Sequence, residues 1–330
     1  QAERLANFHR THSNLNVKVV NLEGLYEEFS SGKQDIGAIR NFVKYVYDNA
    51  SSPSKKLKYL CLFGDASYDF KNRTLNNTNI VPIFHAKNGF SVGQASFTSD
   101  DYFGLMDSNE GDMTAALGLD IAVGRMLVSS LQQAEQMVTK VIDYHDKKSY
   151  GRWRNNLVFI SDDIDKDSDA TLQTDLDLLS NTITTQKPFL NSKKIHTDSY
   201  VQETTSGGQK YPKAKEDFIN SFGQGALVFN YFGHGGEDGL AGERLFERID
   251  ALSLSNQYKY PLFITVTCEF TRFDNPSRPT AGEQTYWNPF GGAVAMVTTT
   301  RQIGQSTGEY FNIKLAANLF PNNSNSYPTI

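Results

Sequence analysis

The sequence has little cysteine: two residues in 330, Cys61 and Cys268. Two thiols exclude a disulfide-dense scaffold and cannot by themselves furnish a four-ligand zinc site. Nor is there a basic excess. Against 37 Asp and Glu stand 32 Lys and Arg, a formal charge of -5, so the electrostatic footprint of a nucleic-acid binder is missing and no nucleic-acid partner is expected. No window approaches the roughly 18 consecutive apolar residues of a membrane-spanning helix. The opening "QAERLANFHR" has no apolar leader-like run. Both ends are expected to continue into a longer protein, so this lack excludes no compartment. Internal repeats and low-complexity tracts are also missing.

What is present is an alternation. Apolar, β-branched runs occur at 17–22 ("VKVVNL"), 59–65, 119–126, 157–163, 226–235, 262–268 and 293–301. Most are continuous, as expected of strands buried on both faces. Helical stripes lie between them. Ile36, Ile39, Val43 and Val46 form one; Leu131, Ala134, Val138 and Val141 form a second, behind Ser129 or Ser130 as cap. Leu172, Leu176 and Leu179 form a third. In "YPKAKEDFINSFGQG", Pro212 suits the first turn and Gly223 the C-cap. The pattern predicts an α/β fold with mainly parallel sheets flanked by helices. A polar stretch at 147–156 suggests two subdomains, 1–150 and 151–330. Long loops are expected at 66–100 and 190–210, the kind that often serves function.

Three runs end in chemistry. One ends in "SDD" (161–163), one in "GHGG" (233–236), one in "TCEF" (267–270). In open α/β sheets ligands gather beyond the carboxyl ends of the strands. An acid, a histidine and a cysteine at one sheet edge are the inventory of an activated thiol nucleophile. An ordinary thiol, with a pKa of about 8.5, needs a base such as His234 to form the thiolate. The same imidazole can return the proton to a leaving amine. Asp163, or Asp162 beside it, could fix the ring. The backbone N–H groups of Gly235 and Cys268 could hold an oxyanion. The aspartates of "DDIDKDSD" read equally as a solvated loop or a structural calcium site. Cys61, between apolar neighbours in "YLCLFG", reads as a small buried hydrophobe.

"NYFGHGG" (230–236), "LCLFGD" (60–65), "TSDDYFG" (98–104) and "DIAVGR" (120–125) resemble the caspase–legumain–gingipain group of cysteine peptidases, in its gingipain branch. "FGDASYDFKNR" (63–73), "TCEFTRFDNP" (267–276) and "NPFGGAVAMVTTTRQ" (288–302) are more similar to the C-terminal signal peptidases and sortases of the type IX secretion system. The resemblance implies a caspase-like, gingipain-like fold over the whole chain, with Cys268 as nucleophile, His234 as base and Asp163 (alternatively Asp162) as third member. It implies no required cofactor. The gingipain acid that grips a substrate arginine falls near Thr171, so an arginine preference is not implied. Partners would be exported cargo with C-terminal signal domains and outer-membrane secretion components such as a PorV-like shuttle. A lipopolysaccharide amine is a further acceptor, and the location is the extracellular face of the outer membrane. Two readings from other classes compete: a non-catalytic subunit of a surface attachment complex, and a calcium-stabilised binding module.

Overall fold

The computed structural model describes residues 1–86, 97–113, 118–322 and 327. The chain divides into two units, residues 1–138 with 273–277, and residues 139–272 with 278–330. The division falls inside a helix, Leu131–Tyr144, whereas the sequence reading put it at 150. The polar stretch 147–156 instead holds two 3-10 turns, Lys147–Ser149 and Arg152–Asn155, with Trp153 buried in the second. The Trp153 Nε1–H donates to the Ser149 carbonyl at 2.9 Å.

The first unit contains helices α1 (Ala2–His12), α2 (Leu22–Ser30) and α3 (Ile36–Asp48), and opens into α4 (Leu131–Tyr144). Its strands are the parallel pair β1 (Tyr59–Phe63) and β4 (Ala122–Met126), and the short antiparallel pair β2 (Phe84–His85) and β3 (Thr98–Ser99). Asp35 caps α3, accepting the Gly37 N–H at 2.7 Å. Its stripe of Ile39 and Val43 packs with Leu25, Leu62 and Phe103. Arg125 on β4 is tied to Asp100 through two guanidinium bonds of 2.8 and 2.7 Å, and also reaches the carbonyls of Gly64 and Val81. That nearly buried bridge joins the "FGD", "TSDDYFG" and "VGR" stretches.

Several expectations are corrected in this unit. No strand forms at 17–22, where Val19 and Val20 are exposed. An extended segment without a partner strand leaves its ladder groups to water; here Asn21 caps α2 instead. Cys61 is exposed rather than buried, while its neighbour Leu62 is inside. Leu131 is exposed, and the inward stripe of α4 is Ala134, Met137 and Val138. Within 66–100, residues 87–96 lie outside the described residues.

The second unit holds a five-stranded parallel sheet. Its strands are β5 (Asn156–Ser161), β6 (Asn191–His196), β9 (Val228–Phe232), β13 (Leu262–Val266) and β14 (Ala295–Val297), in spatial order β14-β13-β9-β5-β6. Side chains alternate between faces. Leu157, Phe159, Val228, Phe232, Leu262 and Ile264 point to one core, with α5 (Leu172–Gln186) and α9 (Gln305–Leu319). Val158, Ile160, Phe229, Tyr231 and Phe263 point to the other, with α6 (Pro212–Gln224) and α7 (Arg248–Ser253). Both faces are therefore dry, and the strands read as continuous apolar runs.

The expected loop 190–210 is instead edge strand β6, a 3-10 turn and a hairpin, β7 (Glu203–Thr205) with β8 (Gly208–Lys210). Charged side chains such as Lys193 and Lys194 suit an edge strand, and they hid it from an apolar-run reading. The α6 C-cap is Gly225, at φ 90, one residue past the helix, rather than Gly223. No helix among the described residues is long and apolar enough to cross a membrane.

Under α6, Phe222 stacks on Phe229 with ring centroids 4.2 Å apart. Phe222→Ala should destabilise the second unit by about 3–5 kcal/mol, the usual cost of deleting a buried aromatic ring. Chemical denaturation followed by far-UV circular dichroism checks this.

Candidate active site

The site begins with strand register. Ser161 on β5 pairs with Phe232 on β9, and Phe232 pairs with Val266 on β13. Asp163, His234 and Cys268 each stand two residues beyond those in-line positions. The ladder runs one step further: the Asp162 N–H donates to Phe232 O at 3.2 Å, and the Gly233 N–H donates to Val266 O at 3.3 Å. Neighbouring parallel strands lie about 4.8 Å apart, so His234 and Cys268 leave the same sheet edge from adjacent strands.

The His234 backbone is held on both sides. Its N–H donates to Asp162 Oδ2 at 2.8 Å. Its carbonyl accepts the Tyr231 hydroxyl at 2.6 Å and the Ala241 N–H at 2.9 Å. Gly233 must be glycine, because a Cβ there would meet Asp162 Cβ at 2.3 Å. A Cβ on Gly235 would meet Thr267 Oγ1 at 2.7 Å, which shows how closely the His-Gly segment lies against the residue preceding Cys268.

Beyond His234 the chain forms a small antiparallel sheet of β10 (Gly235–Gly236), β11 (Gly239–Leu240) and β12 (Phe246–Glu247). The Ala241 N–H to His234 O bond makes those two residues a bonded pair. Bonded and non-bonded pairs alternate in antiparallel ladders, so Gly235–Leu240 is non-bonded and the Gly235 N–H turns away from β11. The Cys268 N–H has no partner among the described residues. Both donors thus remain available to a developing oxyanion.

Cys268 is half-buried, its thiol 3.9 Å from the Ile303 carbonyl. The next residue, Glu269, has a left-handed backbone at φ 52, uncommon for a non-glycine residue and a feature that clusters at functional sites. Residues 299–303 hold this turn. The Glu269 N–H reaches Arg301 O at 3.3 Å, the Thr271 N–H reaches Thr299 O at 3.1 Å, and the Thr299 hydroxyl donates to Thr267 O.

The imidazole's carboxylate partner is Asp169. His234 Nε2 lies 3.2 Å from Asp169 Oδ1, with the ring 41% exposed and the acid 1% exposed. Asp169 belongs to the 3-10 turn Asp167–Thr171 that leads into α5, and the Lys166 N–H and the Ser168 hydroxyl both donate to it at 3.2 Å. This corrects the expectation of Asp163, or Asp162, at the ring. Asp163 Oδ2 accepts the Tyr211 hydroxyl at 2.9 Å and lies 3.5 Å from Gln202 Nε2. Asp162 serves the His234 backbone. Asp169 was visible in the sequence only as one of several acids ahead of a helical stripe.

Burial pushes the Asp162 carboxyl up to about 8; the charges of Asp163 and Glu243 add to the rise, and the N–H groups of His234 and Asp163 oppose it. Burial also raises Glu243, with Asp163 and Asp165 contributing. Asp162, Asp163 and Glu243 are the described residues whose carboxylates are grouped closely enough to share a metal ion.

An oriented imidazole is in the correct tautomer more of the time, so Asp169→Asn should slow alkylation of Cys268 by iodoacetamide, and any turnover, by on the order of 10²-fold or more. Asp163→Asn should change the melting temperature more than the alkylation rate. If Asp163→Asn slows the thiol and Asp169→Asn does not, Asp169 is not the orienting acid.

The model of peptidase family C25 matches residues 1–330. Among solved structures, the complex of Porphyromonas gingivalis RgpB pro- and mature domains superposes with a TM-score of 0.71 at 18% identity, covering 98% of this chain and 66% of that one. The Arg-specific cysteine proteinase gingipain R (RgpB) gives 0.67 at 19% identity, covering 92% and 61%. The chain thus spans about two thirds or less of those chains. Dimeric latent PorU from P. gingivalis is 33% identical over 46% of this chain and 15% of its own, at a TM-score of 0.38, below the level of a shared fold. No curated protein matches the sequence. The two gingipain superpositions establish a gingipain-like, caspase-type α/β fold, and with its whole length covered by the family model, the chain belongs to peptidase family C25.

Proposed function

We propose that this chain is the catalytic part of a cysteine endopeptidase that removes the C-terminal signal domain from exported cargo, as a PorU-type enzyme of the type IX secretion system. The observation that carries the peptidase reading is the in-register exit of His234 and Cys268 from β9 and β13, with Asp169 against the imidazole. The secretion-system role is supported by the sequence blocks at 63–73, 267–276 and 288–302.

In this mechanism His234 takes the thiol proton and the Cys268 sulfur attacks the scissile carbonyl carbon. The Gly235 and Cys268 N–H groups stabilise the oxyanion. Collapse breaks the C–N bond, His234 gives its proton to the leaving amine, and a thioester remains on Cys268. Water or a second amine then attacks, with His234 accepting the proton, and the thiolate departs. An amine acceptor, such as one on a cell-surface lipopolysaccharide, would make the enzyme a transpeptidase. The cargo and a PorV-like outer-membrane shuttle would be its partners at the cell surface. A preference for arginine has no support: Asp169 is engaged by His234, and the Thr171 hydroxyl accepts from Gln305.

Cys268→Ala should abolish cleavage of a cargo tail in the full-length protein, leaving no more than the ~10³–10⁴-fold advantage over water that binding and oxyanion groups provide without a nucleophile. Mass spectrometry of the new cargo C-terminus reads this directly. With hydroxylamine present, the wild type should yield a hydroxamate beside the free acid. Near-normal cleavage by the folded alanine variant would sink the mechanism; free acid alone, with the native acceptor also supplied, would leave a hydrolase and remove the transfer step.

A further inference from the structure

Three carboxylates that take no part in the thiol chemistry converge behind the His234 turn. Asp162 and Asp163 follow β5. Glu243 lies between β11 and β12, flanked by Ala241 at φ 64 and Arg244 at φ 57. Their exposures are 1%, 4% and 7%. One oxygen from each lies within 4.8 Å of those of the other two. Asp162 Oδ1, Asp163 Oδ1 and Glu243 Oε2 are buried without a hydrogen-bond partner.

Among the described residues no Lys, Arg or His forms an ion pair with any of the three. The nearby Arg244 faces Glu247 instead. Buried like charges at this spacing cannot all ionise without a counter-charge, and each unpaired buried oxygen costs the native state.

We propose that Asp162, Asp163 and Glu243 form a calcium site that clamps the His234 turn to the end of β5. The donors are all hard carboxylate oxygens, which select calcium or magnesium over thiolate- and imidazole-seeking metals. Three buried carboxylates favour calcium, which accepts flexible cages of protein oxygens, over magnesium, which dehydrates reluctantly and is usually held by one or two carboxylates with several waters kept. The clamp is direct, because the other Asp162 oxygen accepts the His234 N–H and Glu243 lies two residues past Ala241, whose N–H holds the His234 carbonyl.

The test uses binding, not peptidase activity, so its outcome is independent of the proposed reaction. The chain is stripped with chelator and titrated with calcium chloride by calorimetry. A calcium ion should bind at this site, and the melting temperature should rise by about 5 °C at a hundredfold excess over Kd. Terbium should take calcium's place and luminesce through the neighbouring tyrosine Tyr211, whose hydroxyl donates to Asp163, and calcium should quench that emission. Glu243→Gln and Asp163→Asn should each weaken calcium binding at least ~10-fold, while Cys268→Ala leaves it unchanged. No calcium heat and no terbium emission in the wild type would overturn the site, a result that needs no variant to fold. Unchanged affinity in folded Glu243→Gln would overturn it as well. A melting temperature insensitive to calcium in the wild type, with a gain from Glu243→Gln, would assign the cluster to shared protons instead.

Discussion

The site depends on one constraint, the register of β5, β9 and β13. Parallel strands locked as Ser161–Phe232–Val266 deliver their next residues to a common edge, and a slip of one residue would turn every side chain to the opposite face. Burial on both faces makes such a slip costly. Phe159, Phe229 and Phe263 are essentially fully enclosed, and a one-residue shift of β9 would place Asn230 in the slot of Phe229, among the phenylalanines. Asn230 has its own place: it exchanges amide hydrogen bonds of 2.6 and 3.1 Å with Asn312 of α9. A buried polar pair that satisfies itself fixes one register and penalises others.

Precision at the edge comes from what surrounds His234 more than from the ring. Asp162, Tyr231 and Ala241 fix its backbone from three directions, and contacts too close for any Cβ at Gly233 let the chain turn tightly there. The imidazole is left partly open to solvent, with a buried carboxylate behind it. A base has to meet both a thiol and a substrate, so exposure on one side and a fixed acid on the other suit the task. The acids gathered behind the His234 turn carry a cost in buried charge, visible in the raised Asp162 and Glu243 carboxyls.

The sequence by itself determined most of the central sheet and where two of the candidate site residues stand. Continuous apolar runs at 157–161, 228–232 and 262–266 can be strands buried on both faces and little else between helical stripes, and His234 and Cys268 follow at once from where those runs stop. The Ile39–Val43 and Leu172–Leu176–Leu179 stripes were legible for the same reason: each is a local pattern within one element. Tertiary structure alone decided which acid serves His234. Asp163 and Asp169 are both carboxylates near the end of β5, and the choice depends on where the chain turns before α5 and on Tyr211, 48 residues further on, which takes Asp163. The same holds for β6, whose lysines look like loop until a neighbouring strand completes their ladder, and for Glu243, whose burial beside Asp162 depends on the fold of the small sheet after His234. Periodicity reports what one element buries; contacts between side chains far apart in sequence exist only once the chain has closed.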